Sequence, residues 1–287
     1  MLECAFEAGI RHFDTAPSYG YGEAERVLGD FLRKRRDQVT ITTKFGISAP
    51  AMIKARWANL LARRILKMVP ALRGVVSKKA QKLSQKSVFT PDAARKSLDD
   101  SLTALKTDHV DLFLLHEPAY ADAASEELQQ FLDDEVRRGR IRAYGCGGDF
   151  DVIQSVATAK LATAGWLQFE DNALRRRVGG IQASGARCIT YGSLKGALGA
   201  LTDWLKSVPG RSAEWELQLG VDCRSESGLA ALLQADSHAR NPDGIVLFST
   251  HRADRIAGAV ETASGNRFSP EQLLKFGELV KDVPISL

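Results

Sequence analysis

The sequence predicts an α/β chain of the (β/α)8 barrel type, and three observations predict it. Strand-like segments recur at Arg11–Asp14, Val39–Lys44, Val110–His116, Ile141–Gly145, Trp166–Glu170, Arg187–Tyr191 and Ile245–Ser249, with stretches long enough for helices between them. Two of these, Val110–Leu115 (VDLFLL) and Ile245–Phe248 (IVLF), are nearly continuous apolar runs, as expected of strands covered on both faces in a parallel sheet. Asp14, Lys44 and His116 each stand at the last position of a different predicted strand, where polar groups would meet on the top face of a barrel. The rival arrangement of βα units is a doubly wound open sheet, as in many dehydrogenases. It calls for a Gly-rich phosphate loop after the first strand, and no GxGxxG or GxxxxGK[ST] sequence follows any strand here.

The elements follow in order. After the first strand, Gly22–Arg35 reads as a helix with Ala24, Val27, Leu28, Phe31 and Leu32 on one face. Thr90-Pro91-Asp92 places a capping hydroxyl, a first-turn proline and an acid ahead of AARKSLDDSLTAL, and Ser125-Glu126-Glu127 opens another helix in the same way. Between Lys44 and Thr90 lies a long insertion, at about 47–89, within a single predicted domain spanning 1–287. Within it, Ile53–Val69 spaces Trp57, Leu60, Leu61, Ile65 and Leu66 as the apolar side of a basic amphipathic helix.

The segment His12-Phe13-Asp14-Thr15-Ala16-Pro17-Ser18-Tyr19-Gly20-Tyr21-Gly22-Glu23 runs from a strand into a turn rich in Gly, Pro and Ser, which can aim Asp14 and Tyr19 at one point. It is similar to the DTAxxYGxGE signature of the aldo-keto reductases. The resemblance continues through ITTKFG at Ile41–Gly46, DLFLLHEP at Asp111–Pro118, IRAYG at Ile141–Gly145, LQFEDNAL at Leu167–Leu174 and YGSL at Tyr191–Leu194, in family order over most of the chain. It implies a catalytic tetrad at Asp14, Tyr19, Lys44 and His116.

Physical logic supports each role. A carbonyl receiving hydride develops negative charge on oxygen and needs a proton donor within hydrogen-bond reach. Tyr19 would be that donor, with the Lys44 ammonium favouring phenolate after the proton leaves and Asp14 holding Lys44 charged. His116 would orient the substrate oxygen or assist proton delivery. Taken singly, each residue has a plainer reading: a turn aromatic, a surface charge, a strand-end histidine, a turn former.

The resemblance also implies a nicotinamide cofactor, with Gln168 against the carboxamide, Tyr191 stacked on the ring and Ser193 near the pyrophosphate. After the last strand, Ser249-Thr250-His251-Arg252-Ala253-Asp254-Arg255 opens a helix suited to the adenosine phosphate. Arg255 or Arg252 could pair bidentately with a 2′-phosphate, which favours NADPH over NADH. Three departures set the chain apart. Gly147-Gly148 stands where the family usually has a Ser-Asn pair, and Gly258-Ala259 where it often has Glu-Asn. The family's first barrel strand has no counterpart ahead of Arg11, from which we expect either an N-terminally shortened form or an adapted fold.

Composition excludes other classes. The four cysteines, Cys4, Cys146, Cys188 and Cys223, are scattered, without CxxC or zinc spacing, and no metal motif occurs. No run of eighteen or more apolar residues and no signal-like leader appears, so the chain reads as cytoplasmic and without a membrane span. The net charge of +4 hides ten basic and no acidic residues over Gly46–Thr90, which leaves 4 − 10 = −6 for the remainder. That asymmetry argues against nucleic-acid binding. It leaves three readings of the basic segment: a solvated helix over the site rim, a lid for acidic substrates, or peripheral contact with an anionic membrane or partner. The expectation is an NADPH-dependent reductase of a small aldehyde or ketone. The alternative is a non-catalytic paralogue serving as a nucleotide-binding or regulatory module.

Overall fold

The computed structural model describes residues 1–47, 88–265 and 267–284. The basic helix expected over Ile53–Val69, and with it nearly all of the insertion, lies outside the described residues. The chain divides into two compact units, one of Arg11–Gly165 and one of Met1–Ile10 with Trp166–Leu287. A short helix at the start, α1 (Leu2–Glu7), belongs to the latter.

In the unit Arg11–Gly165 the elements run β1 (His12–Asp14), α2 (Ala24–Leu32), β2 (Thr40–Phe45), α3 (Pro91–Leu105), β3 (Val110–His116), α4 (Tyr120–Ala123), α5 (Glu126–Arg137), β4 (Ile141–Gly147) and α6 (Phe150–Thr158). The four strands are parallel and paired in sequence order. Register places Asp14 beside Thr42, Lys44 beside Leu114 and His116 beside Gly147. The VDLFLL run is buried throughout, as a strand covered on both faces must be, and exposure rises only at His116. Phe45 and Phe113 stack with ring centroids 4.9 Å apart.

Both expected caps form. Thr90 Oγ1 accepts from the Ala93 N–H at 3.3 Å and Ser125 Oγ from the Leu128 N–H at 3.4 Å, so α3 and α5 begin where the hydroxyls predict. The face of α2 differs from expectation. It buries Glu25, Leu28, Gly29, Phe31 and Leu32, whereas Val27 is 57% exposed. Gly29 is the cause: a Cβ there would lie 2.4 Å from the Ala104 carbonyl oxygen, so α2 meets α3 backbone to backbone and turns Val27 outward. Asp111 ties β2 to β3, accepting from the Ile41 N–H at 2.8 Å and pairing with Arg36 and Arg142, each at 2.9 Å.

In the other unit the order after α1 is β5 (Trp166–Glu170), α7 (Val178–Gln182), β6 (Arg187–Tyr191), α8 (Ala197–Lys206), α9 (Arg211–Leu219), α10 (Glu226–Arg240), β7 (Ile245–Val246), α11 (Asp254–Ala263) and α12 (Pro270–Leu279). Strands β5, β6 and β7 are parallel and sequential. The last is shorter than the predicted Ile245–Ser249. Val246 already pairs with Thr190, the Leu247 N–H makes one more bond to the Thr190 carbonyl at 2.7 Å, and β6 ends one residue later. Leu201, Leu205, Trp215, Leu219, Leu232 and Phe276 build the helical core, with Trp215 edge-on to Phe276 at 6.1 Å. All four cysteines are free. Among the described residues, no helix is long and apolar enough to cross a membrane.

Candidate active site

Asp14 and His116 are the last residues of β1 and β3, as predicted. Lys44 is the second-last of β2 rather than the last, because Phe45 still pairs with Leu115. The alternation of a strand aims residues i and i+2 to one face, and the side chains of Asp14 and Lys44 meet there. Lys44 Nζ donates to Asp14 Oδ2 at 2.6 Å and to the Thr15 carbonyl at 3.0 Å. The lysine side chain is only 1% exposed. Burial pushes the Lys44 ammonium below the usual lysine range, and the Asp14 carboxylate, with a smaller contribution from Glu25, pulls it back.

Tyr19 opens the short 3₁₀ turn Tyr19–Gly22, its own N–H bonded to the Ala16 carbonyl at 3.0 Å. The turn is tight enough to hold Tyr21 at a φ of 59°, in the left-handed region. Its geometry brings the Tyr19 ring over the lysine, with Nζ 4.9 Å from the ring centroid. The His116 imidazole stands edge-on to the same ring, 5.9 Å between centroids. Tyr19 is 40% exposed, so the four side chains grade from a buried ion pair to an accessible phenol.

The environment of His116 shifts its titration as well. Burial first, then the nearby Lys44 charge, push its imidazole down to about 4, so the ring is neutral near pH 7. Its buried Nδ1 forms no hydrogen bond with a described residue. A neutral imidazole and a phenol above a buried ammonium make a set of groups able to donate toward an oxygen that gains negative charge.

The residues expected to hold a nucleotide all lie in the unit with β5, β6 and β7. Gln168 is buried on β5, Tyr191 is the half-buried last residue of β6, and Ser193 is buried two residues beyond it. Ser249 and Thr250 follow β7, where Thr250 Oγ1 accepts the Arg252 N–H at 3.0 Å. Arg252 is engaged, its guanidinium on Asp254 at 2.5 and 3.1 Å. Arg255 is exposed in the first turn of α11, and no described residue forms an ion pair with it. Tyr191, Ser193, Ser249, Thr250 and Arg255 thus stand at or beyond the C-terminal ends of β6 and β7, whereas Gln168 is the central residue of β5.

Sequence reasoning missed three residues around the first set. Thr15 supplies a carbonyl to Lys44. Glu25 is buried behind the lysine strand, accepting from Thr43 Oγ1 at 2.6 Å, with burial raising its carboxyl above the ordinary range. Glu117 follows His116 at a φ of 56°. Only Glu25 carries a sequence signal, an acid on the otherwise apolar side of α2.

Parallel strands alternating with helices, with polar side chains at the strand ends, are the architecture of the βα-barrel class. Residues 1–207 match the aldo/keto reductase family, and the chain belongs to that oxidoreductase family. Over 119 residues it is 34% identical to a pyridoxal 4-dehydrogenase of Microbacterium luteolum, covering 41% of this chain and 32% of that protein. It is 32% identical over 150 residues to a D-threo-aldose 1-dehydrogenase of Pseudomonas, covering 51% and 42%. The matched stretches thus span less than half the length of these relatives. Two solved structures share the fold. An aldo-keto reductase of Bacillus halodurans in its holo form superposes with a TM-score of 0.69 at 20% identity, over 97% of this chain and 85% of that one. One from Klebsiella pneumoniae in complex with NADPH gives 0.65 at 19%, over 97% and 83%.

Proposed function

We propose that this chain reduces an aldehyde or ketone to an alcohol with NADPH, using Tyr19 as proton donor. The observation that carries the reading is the stacked order of Asp14, Lys44 and Tyr19: a carboxylate 2.6 Å from a buried ammonium that lies 4.9 Å below a phenol ring. A phenol is a poor acid, with a pKa of about 10. A cation held beside it favours the phenolate and lowers the cost of giving up the proton. Asp14 opposes the desolvation that burial imposes on the lysine, favouring its charged form.

The residues present fit a nicotinamide dinucleotide phosphate. Arg255 is an exposed cation in the first turn of a ten-residue helix whose N-terminus has no side-chain cap, and Ser193 and Thr250 offer hydroxyls on the same strand edge. Arg255 would take the 2′-phosphate, which supports NADPH over NADH. Arg252 is held by Asp254 and is the weaker candidate. Gln168 would hold the carboxamide and Tyr191 the ring. When bound, the reduced nicotinamide supplies the hydride.

The remaining work falls to the chain's own side chains. His116, neutral at working pH, would hydrogen-bond the carbonyl oxygen and fix its orientation. Tyr19 would pass its proton to that oxygen as it becomes an alcohol, and would recover a proton from solvent through its exposed edge. In the oxidative direction the phenolate would accept the alcohol proton.

The test is titration of the purified chain with NADPH and NADH, followed by tryptophan quenching, together with turnover of 4-nitrobenzaldehyde. Tighter binding of NADPH is expected, with kcat in Tyr19→Phe reduced by about 10²-fold or more. A folded chain that binds neither nucleotide overturns the reading. Full activity in Tyr19→Phe overturns the role of the phenol.

A further inference from the structure

The buried acid of α2 has no part in the chemistry assigned so far. Glu25 is 6% exposed, on a helix face otherwise made of Leu28, Gly29, Phe31 and Leu32. An apolar side chain would serve packing there at lower cost, because a buried carboxyl must be hydrogen-bonded to be tolerated. Thr43 Oγ1, itself buried, donates to Glu25 Oε1 at 2.6 Å. Burial raises the Glu25 carboxyl above the ordinary range, and the charges that act on it are Asp100 of α3 and Lys44 of β2.

The bond joins the two elements that carry the phenol and the ammonium. Thr43 directly precedes Lys44 on β2, so the alternation of the strand turns Lys44 towards Asp14 and Thr43 towards α2. Glu25 lies in the first turn of α2, and the Tyr19–Gly22 turn passes into that helix without a linker. Glu23 ends the turn, its N–H on the Gly20 carbonyl at 3.4 Å, and begins the helix, its carbonyl accepting the Val27 N–H at 3.0 Å. A shift of α2 over β2 would therefore carry the Tyr19 ring away from Lys44 Nζ, which now lies 4.9 Å from its centroid.

From this geometry, and resting on the reductase reading above, we propose that Glu25 is a positioning residue, which through Thr43 fixes the Tyr19 phenol over the Lys44 ammonium. Asp14 grips β2 on the face of Lys44, and Glu25 grips it on the other.

The test pairs Glu25→Met with Thr43→Val, which removes both ends of the hydrogen bond and keeps the buried volume filled. Replacing both partners by apolar groups of similar shape leaves stability nearly unchanged, so the paired variant is expected to unfold at a Tm close to that of the full chain. Its affinity for NADPH, read by tryptophan quenching, should also be unchanged. With 4-nitrobenzaldehyde, kcat should fall about tenfold, the scale of effect of a displaced reacting group. The basic limb of its pH profile should move to higher pH, because a phenol farther from the ammonium holds its proton more tightly. Glu25→Gln, which keeps an acceptor for Thr43 and loses the charge, should retain most of kcat. If the paired variant does not fold, Glu25→Asp, which keeps the charge and shortens the reach, gives the same comparison and should show the same fall in kcat. A glutamate that only stabilises the fold would leave kcat and the basic limb of the folded variant where they are in the full chain, and that result overturns the proposal while leaving the reductase reading intact. A loss in Glu25→Gln as large as in the paired variant overturns it too, since the link would then be intact and only the charge missing. No turnover by the full chain overturns the reductase reading, and this proposal with it.

Discussion

Acidification should cost this protein stability, and the share that passes through His116 can be worked out. His116 titrates at about 4 in the folded chain, against 6.5 for the unperturbed side chain. Between those values the unfolded chain holds more protons than the folded one, so stability rises with pH across the window and falls as pH drops from 6.5 towards 4. A difference of about two and a half pH units, at about 1.4 kcal/mol each, makes the His116 contribution about 3 kcal/mol. That is a large share of the roughly 5–15 kcal/mol by which domains are stable.

The measurement is urea unfolding of the full chain and of His116→Gln at intervals from pH 7 to pH 4. Glutamine keeps a polar side chain of similar reach and removes the titration. His12 and His238, also depressed by burial, and Glu25 and Glu117, raised by it, titrate in both proteins and cancel in the comparison. The full chain should lose about 3 kcal/mol more than the variant over that range. Parallel curves would refute the reasoning: the imidazole would then be hydrated or paired in solution, and the neutral donor assigned to the site would be an imidazolium through the mildly acid range.

Other outcomes follow from single contacts. Asp14→Asn leaves the Lys44 ammonium buried without its counter-charge and should destabilise the chain by about 3–5 kcal/mol in chemical denaturation. Adding Lys44→Met should recover stability without restoring turnover, since the charge beneath Tyr19 is gone. Gly29→Ala drives a methyl to 2.4 Å from the Ala104 carbonyl and should cost about 1–3 kcal/mol by overpacking α2 against α3, read as a lowered Tm, with nucleotide binding retained in the protein that remains folded.

The alternation of elements was legible in the sequence because parallel strands leave a strong mark. VDLFLL has no polar residue after Asp111, and a run buried on both faces can hardly be written otherwise. Helix starts were equally plain at Thr90 and Ser125, where a hydroxyl acts on an amide three residues away. The errors came where distant chain decides. Val27 has the spacing of a core residue, but Gly29 lets α2 approach α3 so closely that the buried face rotates past it. Phe248 has the composition of a strand residue, but β6 ends before it finds a partner.

The site shows the same division more sharply. Which residues gather could be read from strand ends and a turn, because Asp14, Lys44 and His116 each close or nearly close a strand. What their chemistry becomes could not, since it depends on burial. An exposed lysine beside a tyrosine does little to a phenol, because water screens the charge within a few ångströms. Lys44 is effective only if water is excluded from it, and exclusion is costly unless a carboxylate is in contact, which is the position Asp14 occupies. The same exclusion depresses His116 and leaves it neutral. Under the proposed mechanism, one physical cause, the exclusion of water from these strand ends, would both favour proton loss from Tyr19 and keep the imidazole a neutral hydrogen-bonding partner, so a substitution that admits water beneath Tyr19 should weaken both functions together.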